Sequence, residues 1–216
     1  MKVWPNYIAV LSSLLFLSTY SADHRASEKK CIAQRKDIFS QIERVFFKEP
    51  SIIETLTTAY ELFEQIPGFN EVLQKVLDAQ DYGSQKGYLF EIEKAVDLEL
   101  SMPNNDKPAY TVIAFGKIIT SPVSQKDREF DIVAKCGDAT FYFECKNRSW
   151  HRDPGNNCEQ FHDQKAIIDT MQSRDNANVH YVIASKQSIP SRWKKFFAKH
   201  NIAFEENPPQ KRNAHA

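Results

Sequence analysis

Two adjacent stretches decide the fold of this chain, EFDIVAKC at residues 129–136 and TFYFECKNRSW at residues 140–150. Both are rich in aromatic and β-branched residues, which is typical of β-strands. Gly137-Asp138 separates them and indicates a tight hairpin turn. Because side chains alternate between the two faces of a strand, Glu144 and Lys146 are predicted to share one face of the second strand.

Three acidic residues are predicted to approach this hairpin. Asp131 interrupts the first hydrophobic strand, and residues in paired strands can meet across the ladder. Upstream, the helical stretch 86–100 places Glu91 within a broad apolar arc, where an ionised carboxylate is costly without a cation beside it. For Glu91 alone, a Lys or Arg partner is the favoured interpretation. An ion pair with Lys146 satisfies one carboxylate only, so Glu91, Asp131 and Glu144 together favour a divalent metal ion.

The remaining elements follow from hydrophobic periodicity. The apolar stretch 110–120 predicts a strand before the hairpin, and residues 158–172 show helical spacing. Residues 180–185 (HYVIAS) predict a buried strand, and residues 189–200 predict an amphipathic helix with a basic polar side.

The acidic positions resemble those of a known family. Asp131, followed after twelve residues by Glu144-Cys145-Lys146, resembles the D…(D/E)-x-K signature of the PD-(D/E)XK nuclease superfamily. The GYLFE sequence at 87–91 is similar to the G-x-x-x-E helix of Mrr-type restriction endonucleases and Holliday-junction resolvases. The resemblance covers residues 84–207, and Phe130 stands where the superfamily pattern has Pro.

The resemblance implies a fold and an activity. The fold is an α/β restriction endonuclease-like core, in the order helix, three-stranded antiparallel meander, helix, strand, helix, strand, preceded by a helical appendage. The activity is metal-dependent endonucleolytic hydrolysis of the phosphodiester bonds of nucleic acid; DNA is the expected substrate, and the sequence does not distinguish it from RNA. A homodimer is common among such relatives and is the oligomer that the resemblance suggests.

The resemblance also assigns roles to the signature residues. Asp131, Glu144 and the backbone carbonyl of Cys145 are expected to hold Mg²⁺ or Mn²⁺, hard cations that prefer oxygen ligands. Glu91 is expected to bind the ion directly or through water. Lys146 is expected to orient or deprotonate the attacking water and to counter negative charge.

Superfamily members often place a glutamine on the helix that follows the motif. In the 158–172 helix, Gln164 lies in the apolar stripe and is the first candidate, with Gln160 second. The alternative for Gln164, a glutamine that bonds a neighbouring backbone group, is equally compatible with the sequence.

The two ends of the chain suggest further segments. Residues 1–22, with the apolar run IAVLSSLLFL at 8–17, have the three-part pattern of a signal peptide. If it is genuine, the protein is exported to the periplasm or secreted, without stable membrane association after cleavage; otherwise the protein is cytoplasmic or anchored by its N-terminus. Residues 23–83 predict helices at 27–48, 51–65 and 70–80, and residues 208–216 predict a disordered tail.

Composition limits the classes of function. The chain has 216 residues, with 28 Lys+Arg balancing 28 Asp+Glu, which excludes a uniformly basic surface. Residues 146–216 carry 12 basic and 7 acidic side chains, a charge of +5, and residues 1–145 carry −5. Binding of nucleic acid must therefore come from a local basic surface and a bound metal.

Two rival functions stay compatible with the sequence. One is a catalytically silent nuclease-fold binding module. The other is an exported helical interaction protein whose acidic residues and lysine form only an ion-pair network. None of the four cysteines stands in a C-x-x-C pair, so the sequence offers no recognisable zinc site.

Overall fold

The computed structural model describes residues 32–101, 109–150, 154 and 158–206. The predicted signal peptide at 1–22 and the predicted tail at 208–216 lie outside these residues. Among the described residues, no helix is both long and apolar enough to cross a membrane. The chain divides into two compact units, Met1–Ile53 and Glu54–Ala216.

Six helices are present in the described residues. They are α1 (32–45), α2 (Pro50–Phe63), α3 (Phe69–Asp78), α4 (Tyr82–Leu100), α5 (Glu159–Asp175) and α6 (Ser191–Lys199). Helix α4 begins four residues before the predicted 86, because Asp81 caps it by accepting a hydrogen bond from Ser84 N at 2.8 Å.

A single five-stranded sheet forms the centre of the second unit. Its strands are β1 (Thr111–Thr120), β2 (Asp127–Cys136), β3 (Ala139–Lys146), β4 (Val179–Ser185) and β5 (Ala203–Glu206), arranged in the order β1-β2-β3-β4-β5. The first three are antiparallel, whereas β3, β4 and β5 run parallel. Parallel neighbours need crossover connections, which α5 and α6 provide. The predicted α/β core, with its meander and later alternation of helix and strand, is confirmed.

The two faces of the sheet are covered by different helices. On β3, the Phe143 ring lies below the ammonium of Lys94 in α4, at 5.9 Å, while Tyr142 packs into the core formed with α5 and α6. Aromatic rings fill that second core, where Phe161, Trp193 and Phe197 make edge and tilted contacts at 5.6–5.8 Å. The alternation predicted for β3 is therefore observed.

Helix α3 is fixed to β1 by a very close backbone approach. Gly68, just before α3, has φ 83°, and a Cβ at this position would lie 2.1 Å from the carbonyl oxygen of Phe115. Phe115 N donates to Pro67 O at 2.9 Å, and the rings of Phe63 and Phe69 lie 5.4 and 5.5 Å from the Phe115 ring. Only glycine suits both the positive φ and the contact, so α3 has a defined position beside the sheet.

Candidate active site

The candidate site lies where β2 and β3 separate. The antiparallel pairing between these strands extends from Cys136↔Ala139 to Ile132↔Phe143 and stops there. The carboxylate of Asp131 accepts a hydrogen bond from Cys145 N at 2.6 Å. This side chain therefore satisfies a backbone N–H that lies past the end of the ladder.

Glu144 is the most tightly held carboxylate of the site. Its side chain is only 2% exposed and forms an ion pair with Lys146. Gln160 Nε2 donates to Glu144 Oε1 at 2.8 Å, and Gln164 Nε2 donates to Oε2 at 2.5 Å. Both glutamines are on α5, so this helix and β3 together fix the orientation of the carboxylate.

Gln164 is fully buried, and its hydrogen bonds define the orientation of its amide. Its Nε2 donates to the backbone oxygen of Glu129 at 2.7 Å as well as to Glu144. Its Oε1 accepts from the hydroxyl of Tyr181 at 2.6 Å. Because the carbonyl of Glu129 and the carboxylate of Glu144 accept hydrogen bonds, the NH₂ group of Gln164 must face them and its Oε1 must face Tyr181. Gln164 therefore bonds both a backbone carbonyl, that of Glu129, and the carboxylate of Glu144.

Replacing Tyr181 by Phe should destabilise the protein by about 1–2 kcal/mol, because Gln164 Oε1 would be left buried without its donor. The measurement is urea unfolding of both proteins at pH 7. As a control, Tyr82→Phe changes a tyrosine that is 61% exposed and should have an effect below about 0.5 kcal/mol. Equal stabilities of the Tyr181 variant and the parent would contradict the stabilising hydrogen bond between Tyr181 and Gln164.

Glu91, on α4, lies among charges of both signs. Burial raises its pKa to about 8, and the carboxylates of Glu129 and Glu144 also act to raise it, while the ammonium groups of Lys75 and Lys146 act in the opposite direction. Lys75 Nζ is 3.5 Å from Glu129 Oε1. Glu91 therefore interacts with two acid–ammonium pairs, Glu129–Lys75 and Glu144–Lys146.

Asp131 belongs to the same electrostatic cluster. Burial, and then the carboxylates of Glu144 and Glu91, raise its pKa well above the ordinary value, although Lys146 and the N–H of Cys145 act to lower it. A divalent cation would relieve the repulsion among the carboxylates of Glu91, Asp131 and Glu144 more fully than one ammonium group does.

The donor groups suit a hard divalent cation. Carboxylate oxygens of Glu91, Asp131 and Glu144 are the ligands that Mg²⁺ and Mn²⁺ prefer. The carbonyl of Lys146 accepts from Lys186 N at 3.1 Å and thus points to β4. Since successive carbonyls of a strand point in opposite directions, the Cys145 carbonyl faces the Asp131 side. Within the described residues, however, no three His, Cys, Asp or Glu side chains already surround a common point.

The sequence named the central candidates of the site but not the residues that hold them in place. The structure brings together all of the predicted site residues, which are Glu91, Asp131, Glu144, Cys145, Lys146 and Gln164. It adds Tyr181, Glu129 and Lys75. The hydroxyl of Tyr181, in a predicted buried strand, is a signal that could have identified this residue. No signal in the sequence links Lys75 to the site.

The strand order, the crossovers and the position of the acidic cluster define a restriction endonuclease-like fold. No family model matches the sequence, and no curated protein sequence is significantly similar to it.

Among solved structures, the chain is similar to one described as an EndoMS–dsDNA complex, with 16% identity and a TM-score of 0.40 over 62% of this chain and 51% of that chain. It is also similar to a repair endonuclease from Pyrococcus abyssi, with 19% identity and a TM-score of 0.33 over 46% of this chain and 39% of that chain. The chain thus spans about half the length of the first structure.

Proposed function

We propose that this protein is a metal-dependent endonuclease that hydrolyses phosphodiester bonds, with DNA as its substrate. One observation carries the proposal. Carboxylates from three separate elements, Glu91 on α4, Asp131 on β2 and Glu144 on β3, interact with one another and with Lys146 where the two strands part. A purely structural ion pair would need only Glu144 and Lys146.

The metal would be Mg²⁺ or Mn²⁺. Asp131, Glu144 and the Cys145 carbonyl would hold it, with Glu91 binding directly or through water. When bound, such an ion polarises a phosphate oxygen and lowers the pKa of water.

The protein groups supply orientation and charge. Lys146 would orient the attacking water and offset the negative charge that develops on the phosphate, the role that its position beside Glu144 supports. Gln160 and Gln164 would prevent the Glu144 carboxylate from rotating. Such pre-organisation matters because small displacements of reacting groups are costly in rate.

The proposal is tested by incubating the protein with supercoiled plasmid in Mg²⁺, in Mn²⁺ and in EDTA. We expect nicking or linearisation with either metal and none in EDTA. Linear duplex, single-stranded and branched DNA and matching RNA substrates define the substrate class. Binding without cleavage would instead favour the silent nuclease-fold module, and absence of both would favour the interaction protein.

We also propose export, on the basis of the N-terminal pattern. Mass spectrometry of the mature N-terminus from the native host should find cleavage after Ser21 or Ala22. An intact N-terminus would favour an anchored or cytoplasmic protein.

We propose a homodimer as well, because the resemblance suggests one. Light scattering of the purified protein tests this oligomeric state.

A further inference from the structure

Lys75 is a cation that the helical region contributes to the candidate site. It lies in the last turn of α3, seven residues after Gly68, whose contact with Phe115 fixes the start of that helix against β1. A helix rises about 1.5 Å per residue, so this anchor lies about 10 Å away along the axis. The position of Lys75 is consequently determined by the packing of α3.

The immediate contacts of Lys75 place its ammonium beside the carboxylate of Glu129 and the ring of Tyr88. Its Nζ is 3.5 Å from Glu129 Oε1 and 5.6 Å from the centre of the Tyr88 ring on α4. Glu129 has room beside Gly116, where a Cβ would lie 3.0 Å from Glu129 Oε1. Tyr88 is three residues before Glu91 on α4. Lys75, on α3, therefore contacts α4 about one helical turn before that acid.

The two lysines of the site differ in accessibility. The side chain of Lys146 is 13% exposed and is paired with a carboxylate that is 2% exposed, whereas Lys75 and Glu129 are 44% and 45% exposed. An exposed ion pair contributes less than about 1 kcal/mol, so Lys75 can exchange Glu129 for another anion at little cost. The side chain of Lys146, by contrast, is mostly buried and stays paired with Glu144.

We propose that Lys75 binds a phosphate of the nucleic-acid backbone next to the carboxylate cluster, and that α3 is therefore part of the substrate-binding surface. This inference rests on the proposed function. A polyanion that approaches Glu91, Asp131 and Glu144 meets like charge, so a cation at the margin would help the metal ion to hold it there. When no substrate is bound, the ammonium of Lys75 forms an ion pair with the carboxylate of Glu129.

The test is the salt dependence of binding to a fluorescent DNA duplex, measured in EDTA so that no cleavage occurs. Lys75→Gln should weaken binding roughly threefold to tenfold at low salt and reduce the slope of log K against log salt by about 1, because one phosphate contact is lost. Lys75→Arg should keep the slope of the parent protein. Lys135→Gln, an exposed lysine near the hairpin end of β2, is the matched control and should change neither quantity.

Glu129→Gln should change the affinity for DNA in the opposite direction. Without the competing carboxylate, Lys75 should bind phosphate more readily, and affinity should increase by roughly twofold to threefold. A purely structural Lys75–Glu129 pair would instead give both variants the same salt slope as the parent, which would overturn the inference while the parent still binds DNA. If the folded parent protein binds no nucleic acid in EDTA and cleaves none in Mg²⁺ or Mn²⁺, the proposed function itself is wrong. Circular dichroism of each variant separates these results from misfolding.

Discussion

Replacing Asp131 by Asn should lower the rate of metal-dependent DNA cleavage by roughly 10³-fold or more and leave the protein folded. The loss is expected because a neutral amide is a poor ligand for Mg²⁺, and the electrostatic stabilisation that the ion supplies is worth several kcal/mol. The fold should persist because Asn retains an oxygen that can accept the hydrogen bond from Cys145 N. Single-turnover cleavage of a labelled duplex measures the rate.

The stability of the same variant sharpens this prediction. Burial and two neighbouring carboxylates oppose ionisation of Asp131, so replacing the carboxyl group by an amide that cannot ionise should make the metal-free protein at least as stable as the parent. Inactivity with undiminished stability is the expected combination for a functional acid. A variant that loses cleavage only in proportion to a loss of folded protein would instead indicate a structural role.

Lys146→Met should also abolish most cleavage, by roughly 10²-fold to 10⁴-fold, since it removes the only ammonium in direct contact with Glu144 among the described residues. Lys135→Met is the control for a lysine on the neighbouring strand, at its hairpin end. Substantial activity in the Lys146 variant would show that water is oriented by another group. Both variants are compared at equal concentrations of folded protein.

A third effect concerns the pH dependence of stability and Glu91. In the metal-free protein its pKa is raised from 4.5 to about 8, so the folded state binds this proton more tightly than the unfolded state does. Stability is therefore greatest at low pH within this range and is lost as the pH rises from about 4.5 to 8. We expect Glu91 to lower the free energy of unfolding by about 2 kcal/mol between pH 5 and pH 8, less than the limit of about 1.4 kcal/mol per pH unit because the side chain is partly exposed.

Urea unfolding in EDTA at several pH values measures this effect. Glu91→Gln should make the fall smaller and leave the part that Asp131 contributes, whereas Glu43→Gln, which changes an exposed glutamate of α1, should leave the whole fall unchanged. Addition of Mg²⁺ at pH 8 should restore stability to the parent protein but much less to the Glu91 variant. The idea fails if the two glutamate variants show the same pH dependence.

Much of this fold could be predicted from local sequence. The Gly137-Asp138 turn and the aromatic alternation of β3 define the hairpin, and they also place Glu144 and Lys146 on one face. The start of α4 was predicted too late because its first turns contain Gly83 and Gly87, which weaken the helical signal, whereas the Asp81 cap supplies the missing stabilisation.

The supports of the site could not be predicted, because they depend on tertiary contacts. Tyr181 reads as one more large residue of a buried strand until α5 brings Gln164 within 2.6 Å of its hydroxyl. Lys75 reads as an ordinary solvent-facing lysine of an amphipathic helix. Its relation to Glu91 depends on the contact between Gly68 and Phe115, which no periodicity in either segment indicates.

The route of the chain through β3, α5 and β4 has a consequence for the order of folding. Gln164 follows Glu144 by 20 residues, and Tyr181 follows Gln164 by 17, so the groups that hold this carboxylate come from a complete crossover. Contacts of such sequence separation form slowly because loop closure must precede them. The hairpin of β2 and β3, which requires only local contacts, can assemble while Glu144 still lacks its amide partners. A nascent chain that ends before β4 would consequently display these acidic residues without a fixed geometry, and the contacts that hold Glu144 would be complete only after Tyr181 has been synthesised.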